Sequence, residues 1–143
     1  MRYKLLGKSG LKVSELCLGT MTFGDDWGWG STKEESRKIY DAFVEAGGNF
    51  IDTADLYTNG TSERFLGEFM ASDRERIVLA TKYTNSAPGT DPNAAGNQRK
   101  NMMQSVEVSR IELGFPHDFV ANEMVQNFAY GGMRGLIDNH RAV

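Results

Sequence analysis

Two hydrophobic rhythms alternate along this chain, one with the period of strands and one with the period of helices. Tyr3-Lys4-Leu5 and Lys12-Val13 flank Ser9-Gly10, a turn signal, and together predict an opening β-hairpin. Leu16-Cys17-Leu18-Gly19-Thr20-Met21 is nearly unbroken in its apolar character, the pattern of a short parallel strand buried on both faces. Thr32-Lys33-Glu34-Glu35 then has the capping-box pattern, in which hydroxyl and carboxylate satisfy orphan amides of a first helical turn. Ile39, Phe43 and Ala46 fall on one face of that helix, and Gly47-Gly48 stops it. Asn49-Phe50-Ile51-Asp52 reads as the next strand. Thr61-Ser62-Glu63 reads as the cap of a second helix, whose apolar pairs are Phe65-Leu66 and Phe69-Met70. Ile77 to Tyr83 is a third strand. Strand, helix, strand, helix, strand is the rhythm of a parallel α/β fold.

Beyond this point the pattern loosens. Residues 85–97 are rich in Gly, Pro and Asn and predict a loop, after which a helix starts near Gln98. Met102, Met103 and Val106 set its apolar stripe, but positions 109 and 110 are Ser and Arg, and Val108 and Ile111 point elsewhere. The stripe slips out of phase there. Val120, Met124 and Phe128 share the spacing of one more amphipathic helix near the end.

Length and composition narrow the picture without changing it. The 143 residues, 40% of them hydrophobic, suit a single compact unit with a modest core. Sixteen basic against nineteen acidic residues leave a net charge of −3, with neither sign gathered into a block. Binding to nucleic acid or to a membrane surface therefore has no electrostatic support. No apolar stretch reaches the ~18 residues of a membrane span, and Met1 to Lys8 lacks the apolar centre of a signal peptide. Cys17 is the single cysteine, which rules out a disulfide framework within the chain. It reads as a small buried apolar residue in a cytoplasmic protein.

The candidate chemistry lies at the strand ends. Residues 50–57 read Phe-Ile-Asp-Thr-Ala-Asp-Leu-Tyr, and Thr81-Lys82 ends the next hydrophobic run. A tyrosine phenol ordinarily titrates near ~10 and serves as a general acid at neutral pH only when shifted downward. A nearby lysine ammonium favours phenolate, and an aspartate paired with that lysine keeps it charged and in place. Asp52, Tyr57 and Lys82 are thus three members of a proton-transfer constellation. The bland alternative is an ordinary Asp52–Lys82 ion pair with Tyr57 packed in a loop. Asp55 reads as a loop hydrogen bonder.

The Asp-Thr-Ala-Asp-Leu-Tyr run and its spacing to Thr81-Lys82 strongly resemble the aldo-keto reductases. The resemblance implies a partial (β/α)8 TIM barrel with about three parallel strands, an N-terminal β-hairpin and a C-terminal helical tail. A whole barrel of that kind needs roughly 250 residues. Residues 1–107 resemble the amino-terminal part of the family. Residues 108–143, including Ile111 to Phe119 and Gly131-Gly132, resemble its closing tail, so that strands four to eight are expected to be missing. The resemblance further implies NADPH as cofactor, a small carbonyl compound as substrate, and Tyr57 as proton donor supported by Lys82 and Asp52. Gly19, Thr20, Met21 and Asp52 are implied at the nicotinamide end of the cofactor site, and no metal is expected. Trp27 and Trp29 fall where the family lines its substrate pocket, or equally cover exposed core. The family's catalytic histidine at the end of strand four and its phosphate loops have no counterpart, and His117 and His140 lie in the tail. At most weak reductase activity is therefore expected. A homo-oligomer is expected to cover the open edges, and a non-catalytic oligomeric partial barrel or binding module is the alternative.

Overall fold

The computed structural model describes residues 1–85 and 91–115. The chain opens with β1 (Tyr3–Leu5) and β2 (Lys12–Ser14), an antiparallel hairpin in which Lys4 lies opposite Val13. The Leu11 carbonyl accepts from the Leu6 amide at 2.9 Å, and Gly7 and Gly10 supply the positive φ angles of the turn. A separate parallel sheet has the order β3 (Leu18–Gly19), β4 (Phe50–Asp52), β5 (Val78–Ala80). Leu18 pairs with Ile51, and Ile51 with Leu79. Between the strands run α1 (Lys33–Glu45) and α2 (Thr61–Met70), and α3 (Arg99–Glu112) follows β5. The chain is α/β, with helix and parallel strand in alternation and the hairpin set before them.

The core lies between the sheet and α1 and α2. Ile51 and Leu79 meet Leu66, Phe69 and Met70 of α2 and Tyr40 of α1, all almost completely buried. Side chains of this size each stabilise the fold by about 1.5–3 kcal/mol when fully buried. Phe69 is the hub: Phe23 meets it edge-on at 6.4 Å between ring centroids, and Tyr40 lies 5.6 Å away. The capping box is present in full, because the Thr32 side chain accepts from the Glu35 amide while Glu35 accepts from the Thr32 amide. Gly47, at φ 84°, ends α1 as the double glycine predicts.

Several expectations about individual residues are corrected. The first parallel strand is only two residues long, and Leu16 is 65% exposed. Pairing with β4 holds only Leu18 and Gly19, and beyond them the Phe23 amide donates to the Thr20 carbonyl and turns the chain away. Cys17 is exposed, not a buried core residue. The inward face of α1 carries Ser36 and Tyr40, with Phe43 and Val44 partly buried, whereas Ile39 is 44% exposed. Tyr40 wins that face because its ring packs on Phe69, and Arg37 covers both rings from outside. Thr61-Ser62-Glu63 does not cap α2. Gly60 occupies the N-cap with φ 87°, and Ser62 and Glu63 are fully buried in the first turn.

In α3 there is no break at 109–110. The helix is continuous, and Asn101, Ser109 and, just after its end, Leu113 point inward while Met103 is exposed. The inward stripe is partly polar because its partners are polar: the Asn101 amide donates to the carbonyls of Tyr83 and Gly96, and Ser109 faces the Glu63 carboxyl. The residues of the expected tail helix, Val120, Met124 and Phe128, lie outside the described residues, as do His117 and His140.

Candidate active site

The carboxyl ends of β3, β4 and β5 sit side by side, so residues just beyond each strand converge on one rim. Asp52 is the last residue of β4, and Lys82 lies two residues past β5. The backbone pairing continues past the strands proper: the Thr53 amide donates to the Ala80 carbonyl at 2.8 Å and the Asp55 amide to the Lys82 carbonyl at 3.0 Å. Alternation along these extended residues sends Thr81 to the helix side and Lys82 to the rim.

The Lys82 ammonium is held at three points. It donates to Asp52 Oδ2 at 2.7 Å, to the Thr53 carbonyl at 2.8 Å and to the Tyr57 hydroxyl oxygen at 3.2 Å. The three residues singled out in the sequence are thus within hydrogen-bond reach of one another through Lys82. The side chains of Lys82 and Asp52 are 20% and 30% exposed, so the pair is sheltered but reachable.

Tyr57 opens a short 3-10 turn, Tyr57–Gly60, that leads into α2. Thr58 and Asn59 adopt left-handed backbone angles, with φ 49° and 55°. Such angles strain a β-branched residue and persist only where the surroundings enforce them. Here the Thr58 hydroxyl donates to the Phe23 carbonyl at 2.5 Å and accepts from the Ser62 amide at 3.1 Å. The turn carrying Tyr57 is therefore locked to the loop after β3.

A buried set of hydroxyls supports the rim from behind. Thr20 donates to the Asp52 carbonyl at 3.1 Å, and the Ser62 hydroxyl donates toward both Thr20 oxygens at 2.9 Å. Thr53 and Ser62 share a further hydroxyl contact at 3.0 Å. Thr20 is consequently fully buried, and its side chain is committed to the fold; of the three residues expected at the cofactor site after β3, only Gly19 and Met21 are exposed. A Cβ at Gly19 would meet nothing within 4 Å, so the backbone there is open to a close approach. Trp27 and Trp29 lie tilted against each other at 5.5 Å between ring centroids, remain exposed, and sit beside the Tyr57 turn through a Trp27 Nε1 contact to Asn59 at 3.4 Å.

Sequence reasoning did not reach Glu63. It is fully buried in α2, and its Oε1 accepts from the Thr81 hydroxyl at 2.6 Å. Burial raises its pKa from 4.5 to about 7; the hydrogen bond from Thr81 and the nearby Ser109 hydroxyl oppose the rise, and the negative charges of Asp55 and Glu112 add to it. Asp55 is likewise pushed up to about 6 by burial, opposed by a backbone hydrogen bond from Leu56. Cys17 has an exposed surface, but its thiol is partly desolvated and lies near Asp52, which together hold it up at about 11. It is therefore not a nucleophile at neutral pH. The clue to Glu63 was its place one turn before Leu66, on the inward side of an amphipathic helix.

The sequence model of the aldo/keto reductase family matches residues 15–118. A norsolorinic acid reductase of Emericella nidulans is 48% identical over 115 residues, covering 73% of this chain and 30% of the relative. An aryl-alcohol dehydrogenase of Pestalotiopsis microspora is 41% identical over 118 residues, covering 76% of this chain and 31% of the relative. Among solved structures, an aldo-keto reductase of Bacillus halodurans in its holo form is 34% identical with a TM-score of 0.69, over 80% of this chain and 37% of that one. The chain spans only about a third of the length of the relatives named here. Its three parallel strands and their helices correspond to an arc of the barrel of those structures. A match of this extent, together with relatives at this identity, means that the chain belongs to the aldo/keto reductase family.

Proposed function

We propose that this chain carries the proton-donating side of a carbonyl reductase site, with Tyr57 as the acid and Lys82 and Asp52 as its support. The observation that carries the reading is the three-point hold on Lys82. Its ammonium lies 3.2 Å from the Tyr57 oxygen and 2.7 Å from Asp52. When Tyr57 gives its proton to a substrate carbonyl oxygen, the phenolate left behind faces a fixed positive charge. Asp52 and the Thr53 carbonyl keep that charge from swinging away. This is electrostatic stabilisation by groups already in place before reaction.

The rim fits the reducing end of a nicotinamide cofactor. Gly19 offers an open backbone surface, Met21 is exposed next to it, and Asp52 supplies an acceptor suited to ribose hydroxyls. NADPH, when bound, would supply the hydride; these three residues would hold its ribose end. Trp27 and Trp29 would form an apolar wall for an aldehyde or ketone. Effective molarity is lost when donor and acceptor are not held together, and the described residues supply one side of such a site. Reductase activity of the 143-residue chain by itself is therefore expected to be weak.

The test is NADPH consumption with a generic aromatic aldehyde such as 4-nitrobenzaldehyde. A slow rate, lost in Tyr57→Phe and in Lys82→Met, is the expected result. An ordinary enzymatic rate would show that the present residues suffice; a rate that survives Tyr57→Phe would remove Tyr57 as the donor. A second reading, a non-catalytic oligomer of partial barrels, is favoured by one observation, the exposure of apolar Leu16 and Met21 on either side of β3. A well-folded assembly that ignores NADPH would support it.

A further inference from the structure

Tyr57 and Lys82 belong to different segments, and the distance between them is only as constant as the tie between those segments. Tyr57 leads directly into α2, and Glu63 stands in the first turn of that helix. Lys82 follows Thr81 on the chain beyond β5. From these two segments come the partners of a single buried hydrogen bond, Thr81 Oγ1 to Glu63 Oε1 at 2.6 Å. Its members are the residue next to Lys82 and a residue six positions after Tyr57. Both are buried.

The cost of this arrangement is plain in the second carboxyl oxygen. Glu63 Oε2 is buried and has no hydrogen-bond partner among the described residues. A carboxyl is an expensive group to bury, and an incompletely satisfied one more so. A polar group held there against that cost stands at the junction of α2, β5 and α3, where its hydrogen bond joins two segments of the chain. We propose that Glu63 is a positioning residue for the Tyr57–Lys82 pair, tying the segment that carries the proton donor to the strand end that carries its lysine. The inference rests on reading Tyr57 and Lys82 as a proton-transfer pair.

Glu63 acts on the pair through Thr81, the residue next to Lys82, to which it is hydrogen-bonded. That route is what the experiment isolates. The ammonium resonance of Lys82, in a nitrogen-labelled full-length chain, reports how well Asp52, the Thr53 carbonyl and Tyr57 protect it from solvent exchange. Lys82→Met identifies the resonance. In Glu63→Ala and in Thr81→Val the ammonium is expected to exchange about tenfold faster, the equivalent of one lost buried hydrogen bond. Glu63→Gln, which keeps the acceptor, is expected to restore protection. The double variant Glu63→Ala/Thr81→Val should show about the same loss as either single one, because both remove the same tie.

A purely structural Glu63 would lower the unfolding temperature and leave the Lys82 resonance as it was, which would overturn the proposal. Additive losses in the double variant would overturn it as well. If Glu63→Ala does not fold, Thr81→Val decides alone, since it removes only a hydroxyl. Unchanged protection there refutes the tie. These measurements need no turnover, so a wild-type chain without reductase activity would count against the proposed function and leave the positioning role to be decided by the resonance.

Discussion

Glu63 also gives the fold a pH dependence whose sign is fixed by its burial. Its pKa is about 7 in the folded chain against 4.5 when solvated, because burial penalises the charged form. Between those values the native state holds a proton that the unfolded chain has released. Stability from this group is therefore full below about pH 4.5, declines as pH rises, and is gone once pH passes the folded pKa near 7. The size is on the order of 3 kcal/mol at 1.36 kcal/mol per pH unit. The carboxylates facing it, Asp55 from the rim loop and Glu112 from α3, act in the same direction. In urea unfolding, Glu63→Gln should gain on the wild type steadily from about pH 4.5 to 7 and then run parallel to it. Two curves that stay parallel throughout would mean that Glu63 is already ionised in the folded state. At this scale the sequence was legible where a residue's place depends on a specific short motif. Asp52, Tyr57 and Lys82 come together as their spacing implied. Thr61-Ser62-Glu63 reads as a cap because polar residues beside a helix start ordinarily serve one, and the burial of Glu63 and Thr20 had no signal in their immediate neighbours. Here both are buried in a hydroxyl network that only the packed structure reveals.

At the level of elements, order and type were readable, and inward faces only in part: the apolar residues of α2 point inward as expected, whereas Ile39 of α1 does not. The capping box and the double glycine bound α1 because those signals are local and depend on few neighbours. The inward stripe of α3 keeps its phase through half-buried Met102 and Val106 to buried Ser109 and Leu113, but Asn101 and Ser109 on it meet polar partners across the interface, so counting apolar residues alone read as a slip. Close approach of α2 and α3 supplies a second example. Gly67 sits mid-helix in α2, where glycine costs about 1 kcal/mol relative to alanine on propensity alone. An added Cβ there would lie 2.8 Å from the backbone carbon and oxygen of Leu113. That neighbour is main chain and cannot rotate aside. Overpacking of this kind typically costs about 1–3 kcal/mol, so the clash is expected to outweigh the propensity gain. Gly67→Ala should therefore lower the unfolding temperature. A rise would show that α3 can move away from α2 without penalty, and that their contact is not part of the cooperative fold.

For the whole molecule the decisive quantity is the apolar surface that the described fold leaves uncovered. The inner strand residues expected to be at risk are less exposed than the open arc suggested: Ile51, Val78 and Leu79 are all buried, and Leu18 is partly so. What remains is scattered: Leu16 before β3, Met21 and the two tryptophans after it, Ile39 on α1, and Met103, Val108 and Ile111 on α3, together with the backbone edges of β3 and β5, which have no further strand among the described residues. Unpaired edges recruit other strands, and two-fold pairing is the simplest closed arrangement of identical chains. Burying a leucine side chain fully is worth about 1.5–3 kcal/mol, whereas a stable dimer usually needs about 800 Å² from each partner. Apolar side chains scattered in this way, with short strand edges, support a reversible dimer in place of an obligate one. Light scattering at increasing concentration should show the mass moving from one chain toward two, and Leu16→Lys should hold it at one. The variant leaves the core untouched, because Leu16 lies outside the strand ladder and is 65% exposed. A monodisperse single chain at about tens of micromolar, a range where a weak dimer is populated by mass action, would refute the pairing. It would mean that these exposed apolar side chains are tolerated as ordinary protein surface and that no second copy is needed to close the core.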